Sequence, residues 1–144
     1  MRQCFRPVLP ALALFAPLML ALALASAACT APTGSPRAAA EGFLDAHYVR
    51  INLEAARPFC ASLALEKLER EIALVENNPD AATAERPHVT YRLEEARDAG
   101  VRAQYAYDLA IHPSGMDAFH KLIVLSLTSE NGEWRVSNFT ESDR

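Results

Sequence analysis

Between Pro36 and Ile51 the apolar side chains Ala40, Phe43, Leu44 and Ile51, with His47 among them, recur at the spacing that puts them on one face of an α-helix. Ser35 can cap this helix. Pro36 suits its first position, where a missing amide hydrogen costs nothing. Asn52 predicts a cap for a second, short helix over Leu53 to Arg57, which Pro58 disturbs. A third helix opens at Ser62, with Leu65, Leu68, Ile72 and Val75 as its apolar stripe and the charged run Glu66 to Glu71 read as a solvated face. Asn77-Asn78-Pro79 ends it.

After a connection over Asp80 to Pro87 the period changes from helical to alternating. Val89, Tyr91 and Leu93 alternate with polar residues over His88 to Asp98, and Glu95 continues the Val89 face. Gly100 punctuates. Val101, Ala103, Tyr105, Tyr107, Leu109 and Ile111 then share one face of a strand, with Arg102, Gln104, Asp108 and His112 on the other. A third strand runs from about Asp117 to Ser129, with Phe119, Ile123, Leu125 and Leu127 opposite His120, Leu122, Val124, Ser126 and Thr128. Leu122 and Val124 on the outer face point to partial cover there, as by a second copy of the sheet. Asn131-Gly132 predicts a hairpin into a last strand, Glu133 to Thr140, carrying Trp134 and Val136. Helices followed by hairpin-linked strands are the order of an α+β fold with an antiparallel sheet.

The N-terminus changes the picture of where this domain is delivered. Arg2 and Arg6 precede an uncharged run from Val8 to Ala28 that ends in the small residues Ala25-Ser26-Ala27-Ala28, the pattern of a cleavable export signal over residues 1–28. Pro10 and Pro17 weigh against the competing reading, a retained membrane span. Cys29 follows directly and is the expected lipid attachment site, although Ser26 stands where a lipobox usually has Leu. Cleavage after Ala27 is the alternative and would give a soluble periplasmic protein. Residues 29–36 read as a tether and 37–144 as one domain. The signal takes both its arginines with it, so 14 basic side chains become 12 against 18 acidic ones, a net of about −6. Such a surface offers no cationic stripe for nucleic acid. Cys60 is expected as a small buried hydrophobe, or as the partner of Cys29 should that thiol stay free.

The Phe43-Leu44-Asp45-Ala46-His47-Tyr48 pattern, the short helix after it and the terminal Gly132-Glu133-Trp134-Arg135-Val136-Ser137-Asn138-Phe139 strand resemble the nuclear-transport-factor-2-like superfamily over Arg37 to Thr140. The resemblance implies a cone, in which N-terminal helices pack on a curved antiparallel sheet around an apolar cavity, and a homodimer through the sheet. The superfamily holds isomerase-like and cyclase-like enzymes beside many exported proteins without known chemistry, so the fold is a weak guide to function.

Within such a cone the expected lining is His47, Tyr105, Tyr107, Phe119 and Trp134. His47 is a candidate general base, though a histidine on an apolar face is more often a satisfied core residue. Tyr105 and Tyr107 read as core aromatics whose hydroxyls can reach a ligand. Asp45 and Asp108 fall on polar faces, and His47 is expected to have no orienting partner. His88, His112 and His120 lack a second ligand at metal spacing, so no metal and no cofactor is expected. The sequence thus points to a non-enzymatic envelope protein, held to the membrane by its lipid, that binds an apolar small molecule or a protein partner through its cavity or sheet face. A cavity enzyme of the isomerase, dehydratase or cyclase kind is the alternative.

Overall fold

The computed structural model describes residues 34–78 and 85–144; the signal, Cys29 and most of the tether lie outside the described residues. Helix α1 spans Pro36–Leu44, and Ser35 Oγ accepts from the Ala38 amide at 3.1 Å, the cap its position predicts. The chain then widens into a π-helical turn, Asp45–Val49, which the sequence pattern does not reveal. It closes with the Arg50 amide on the Asp45 carbonyl and the Asn52 amide on that of Ala46. The turn ends the apolar face of helix 1 before Ile51, which is thrown outward, 37% exposed, with φ at +48°. Asn52 caps α2, Leu53–Ala56, by accepting from the Ala55 amide. A 3₁₀ turn over Arg57–Phe59 follows, and its Phe59 ring lies so close to α1 that any Cβ at Gly42 would overlap it.

Helix α3 runs Ser62–Glu76. Its buried side chains are Ala64 and Leu68; Leu65 and Ile72 pack on the core edge, and Val75 stays exposed. The four strands are β1 His88–Ala99, β2 Arg102–His112, β3 Phe119–Glu130 and β4 Glu133–Asp143, paired antiparallel in chain order. Asn131 and Gly132, both at positive φ, make the hairpin between β3 and β4.

The core is Phe43 and Leu44 of α1 and Leu68 of α3, set against Tyr107, Leu109, Ile123, Leu125, Leu127 and Val136 of the sheet. The alternation of β2 and β3 therefore places their faces as expected. That of β1 does not. An extra residue beside Glu94 shifts the register, so Leu93 faces Tyr107 while Glu95 faces Ala106. Beyond this bulge it is Ala96 and Asp98 that share a face with Tyr105 and Ala103, and Glu95 leaves the Val89 face. A second irregularity lies in the β3–β4 pairing between Ser126 and Leu127. The result is an α+β domain in which the helices pack on one face of a curved antiparallel sheet. Among the described residues no helix is long and apolar enough to cross a membrane.

Candidate functional site

Two places carry side-chain chemistry: the aromatic interior beneath α1, and an open recess at the far end of α3.

In the interior, the π-turn carries His47 into the core, where it is 9% exposed. Its ring stacks on Phe43 with centroids 5.1 Å apart and packs against Tyr48 and Phe139. Nε2 lies 2.6 Å from a carboxylate oxygen of Glu71. A carboxylate accepts, so Nε2 carries the hydrogen, and His47 has the orienting partner that its place in the sequence does not reveal. Nδ1 is buried without a hydrogen-bond partner among the described residues. Lys67, one turn before Glu71, donates to Asn138 Oδ1 and to the Phe139 carbonyl at 2.8 and 2.6 Å, and sits over the Phe139 ring. The charged run of α3 is thus only partly a solvated face. A helical projection at about 100° per residue puts Glu71 about 20° from Ala64, at the edge of the apolar stripe. That angle is the signal that finds it.

Around α1 the other acids also find tyrosines. Tyr91 donates to Asp45 at 2.9 Å, Tyr105 to Asp98 at 2.7 Å and Tyr48 to Glu141 at 2.6 Å. Burial first, and the bond to Asp98 second, push the Tyr105 hydroxyl up to about 12. Tyr91 and Tyr48 move upward for the same two reasons, and Tyr107 chiefly through burial. Tyr107 is wholly enclosed, with its hydroxyl unpartnered among the described residues. Burial likewise pushes the Cys60 thiol up to about 12, with Glu71 adding to it. Cys60 is buried, and among the described residues its thiol has no disulfide partner. Asp108 points away from Tyr105 as expected, yet it is 8% exposed, because Arg92, His120 and Arg144 crowd over it on the outer sheet face.

The five expected lining residues therefore scatter. His47, Tyr105 and Tyr107 are packed into the core, and Trp134 is half-buried at its edge. Phe119 has inward parity, paired with Ile111, but as the first residue of β3 it stays 44% exposed.

The recess lies elsewhere. It has a volume of about 830 Å³ and is walled by the aliphatic side chains Val49, Ile51, Leu53, Ile72 and Val75. Arg50, Asn52, Glu54, Glu76 and Arg86 supply its polar lining. The π-turn builds one wall by ending α1 early and turning Val49 to Asn52 outward, and the last turns of α3 build the other. Three of its aliphatic side chains are exposed: Val49, Ile51 and Val75 at 36%, 37% and 44%. Among the described residues no three His, Cys, Asp or Glu side chains gather as a metal site would require.

No family model and no curated protein sequence matches the chain. Solved structures do. A protein from Thiobacillus denitrificans described as a calcium/calmodulin-dependent protein kinase type II association domain is similar with a TM-score of 0.57 at 15% identity, over 76% of this chain and 95% of that one. An NTF-2 like protein of unknown function from Shewanella oneidensis is similar with a TM-score of 0.53 at 15% identity, over 73% of this chain and 93% of that one. At this identity the likeness shows the fold, which is the nuclear-transport-factor-2-like cone.

Proposed function

We propose that the chain is an exported, non-enzymatic envelope protein whose folded domain holds an apolar small molecule in the recess between the π-turn, α2 and the end of α3. The observation that carries this reading is the convergence of five aliphatic side chains, three of them exposed, on one concavity of about 830 Å³. Small-molecule sites have volumes of about 300–1,000 Å³, and this recess falls within that range. Apolar surface held bare in a concavity gains free energy when a ligand displaces its water. Ile51 supports the same reading. A left-handed φ costs a residue with a Cβ roughly 1–2 kcal/mol, and strain of this kind gathers at ligand sites. Acylation at Cys29 would hold the recess close to a membrane surface.

The His47–Glu71 pair is what favours the rival, a cavity enzyme. Its geometry argues against that role. Nε2 is spent on Glu71, the ring is enclosed by Phe43, Tyr48 and Phe139, and neither residue lines the recess. A general base must reach the proton it abstracts.

The test is fluorescence titration with the neutral apolar dye N-phenyl-1-naphthylamine. Wild-type protein should bind it, and Val75→Glu should weaken binding about tenfold by putting a charge on the apolar wall. Ile51→Gly should weaken it similarly while leaving the thermal midpoint equal or higher, because glycine accepts the left-handed backbone. Dye affinity untouched by both substitutions would overturn the recess as the binding site.

A further inference from the structure

We infer that the recess takes a single-chain amphiphile with an anionic head, a carboxylate or phosphate, held by Arg50 and Arg86; this rests on the recess being the binding site. Both arginines line the recess, and each guanidinium is held by a backbone carbonyl of the turn that ends α1. Arg86 donates through one terminal nitrogen to the Arg50 carbonyl at 3.1 Å, and Arg50 Nε donates to the Asp45 carbonyl at 3.3 Å. Carbonyls orient a guanidinium without neutralising it. Among the described residues neither arginine has a carboxylate partner, a condition shared by Arg70 and Arg102 but not by Arg37, Arg57, Arg97 or Arg135.

The acids of the lining do not cancel this charge. Glu54 is committed to Arg57, accepting on both oxygens at 3.1 Å. Glu76 has no ion-pair partner among the described residues, so two guanidinium groups without a carboxylate partner there share the lining with one such carboxylate. Each arginine keeps donor hydrogens spare, and the planar fork suits the oxygens of a carboxylate or phosphate. The apolar wall begins at the next residue, because Val49 and Ile51 flank Arg50. Head and chain of an amphiphile would therefore be read by adjacent residues. A neutral hydrocarbon would leave the charged end of the lining unused, and a small hydrophilic anion would leave the aliphatic wall bare.

Displacement of N-phenyl-1-naphthylamine from the full chain by dodecanoate, dodecyl phosphate and dodecanol tests this. The two anions should bind about tenfold tighter than the alcohol, with an advantage that shrinks as salt rises. Arg50→Gln combined with Arg86→Gln should reduce dodecanoate to the level of dodecanol and leave dodecanol unchanged. Glu76→Gln should tighten dodecanoate by removing the opposing charge. Equal affinities for dodecanoate and dodecanol, or an anion preference that survives the double substitution, would overturn the anionic head and leave the apolar recess standing. Failure of all three to displace the dye would overturn the recess with it.

Discussion

The imidazole of His47, on the turn that ends α1, meets the carboxylate of Glu71 on α3 at 2.6 Å, and this bond ties two helices across the side of the cone. It also satisfies one of the two ring nitrogens of a side chain that is almost wholly enclosed. Glu71→Ala would leave both nitrogens without partners. The expected loss is about 1–3 kcal/mol in urea unfolding, and Glu71→Gln, which keeps an acceptor, should cost less. Equal losses for the two variants would show that the helix contact, not the bond, carries the effect.

Phe43 stands at the centre of the aromatic interior, with no exposure, against His47, Tyr48 and Phe139. Phe43→Ala should cost about 3–5 kcal/mol by removing a buried ring and leaving a cavity. The same denaturation experiment checks it, and a loss under about 1 kcal/mol would contradict the packing described.

Alkaline solution should destabilise the domain. The Cys60 thiol rises from its usual 9.0 to about 12, and the Tyr105 hydroxyl from 10.0 to about 12. A raised folded pKa means the native state keeps a proton that the unfolded chain releases. This stabilisation is whole below the unfolded values and is lost as pH rises from there toward 12. The urea midpoint should therefore fall between about pH 9 and about pH 11, with a shallower fall in Cys60→Ala. Ellman's reagent should leave native Cys60 untouched at about pH 8 and react once the chain is denatured.

Acylation at Cys29 is tested by growing cells with a clickable fatty-acid analogue. Label should appear on the wild type and vanish in Cys29→Ala. A diacylated cysteine would give stable anchoring where one chain gives only marginal binding. Unlabelled protein in the periplasmic fraction would favour cleavage after Ala27.

Much of the architecture is legible along the chain because periodicity reports it directly. Ser35 and Asn52 act as caps, Asn131-Gly132 makes the hairpin, and β2 and β3 bury the face their alternation assigns. What escapes is whatever breaks a period. One added residue near Glu94 turns Asp98 rather than Glu95 toward Tyr105, and the π-turn takes Ile51 off the helix face and into a recess wall. Neither break has a composition signature. Glu71 was concealed differently, within a charged run whose members face different ways, and only the angle between residues separates it from its exposed neighbour Arg70.

The bare Cα of Gly42 has a use beyond this domain. A methyl group there would collide with Phe59, so the glycine admits the ring that seats the connecting turn against α1. The two positions behave as a lock and its key. In a related sequence, a bulkier residue at the first should go with a smaller one at the second. That pairing is something to look for in distant relatives whose identity to this chain is too low for ordinary alignment.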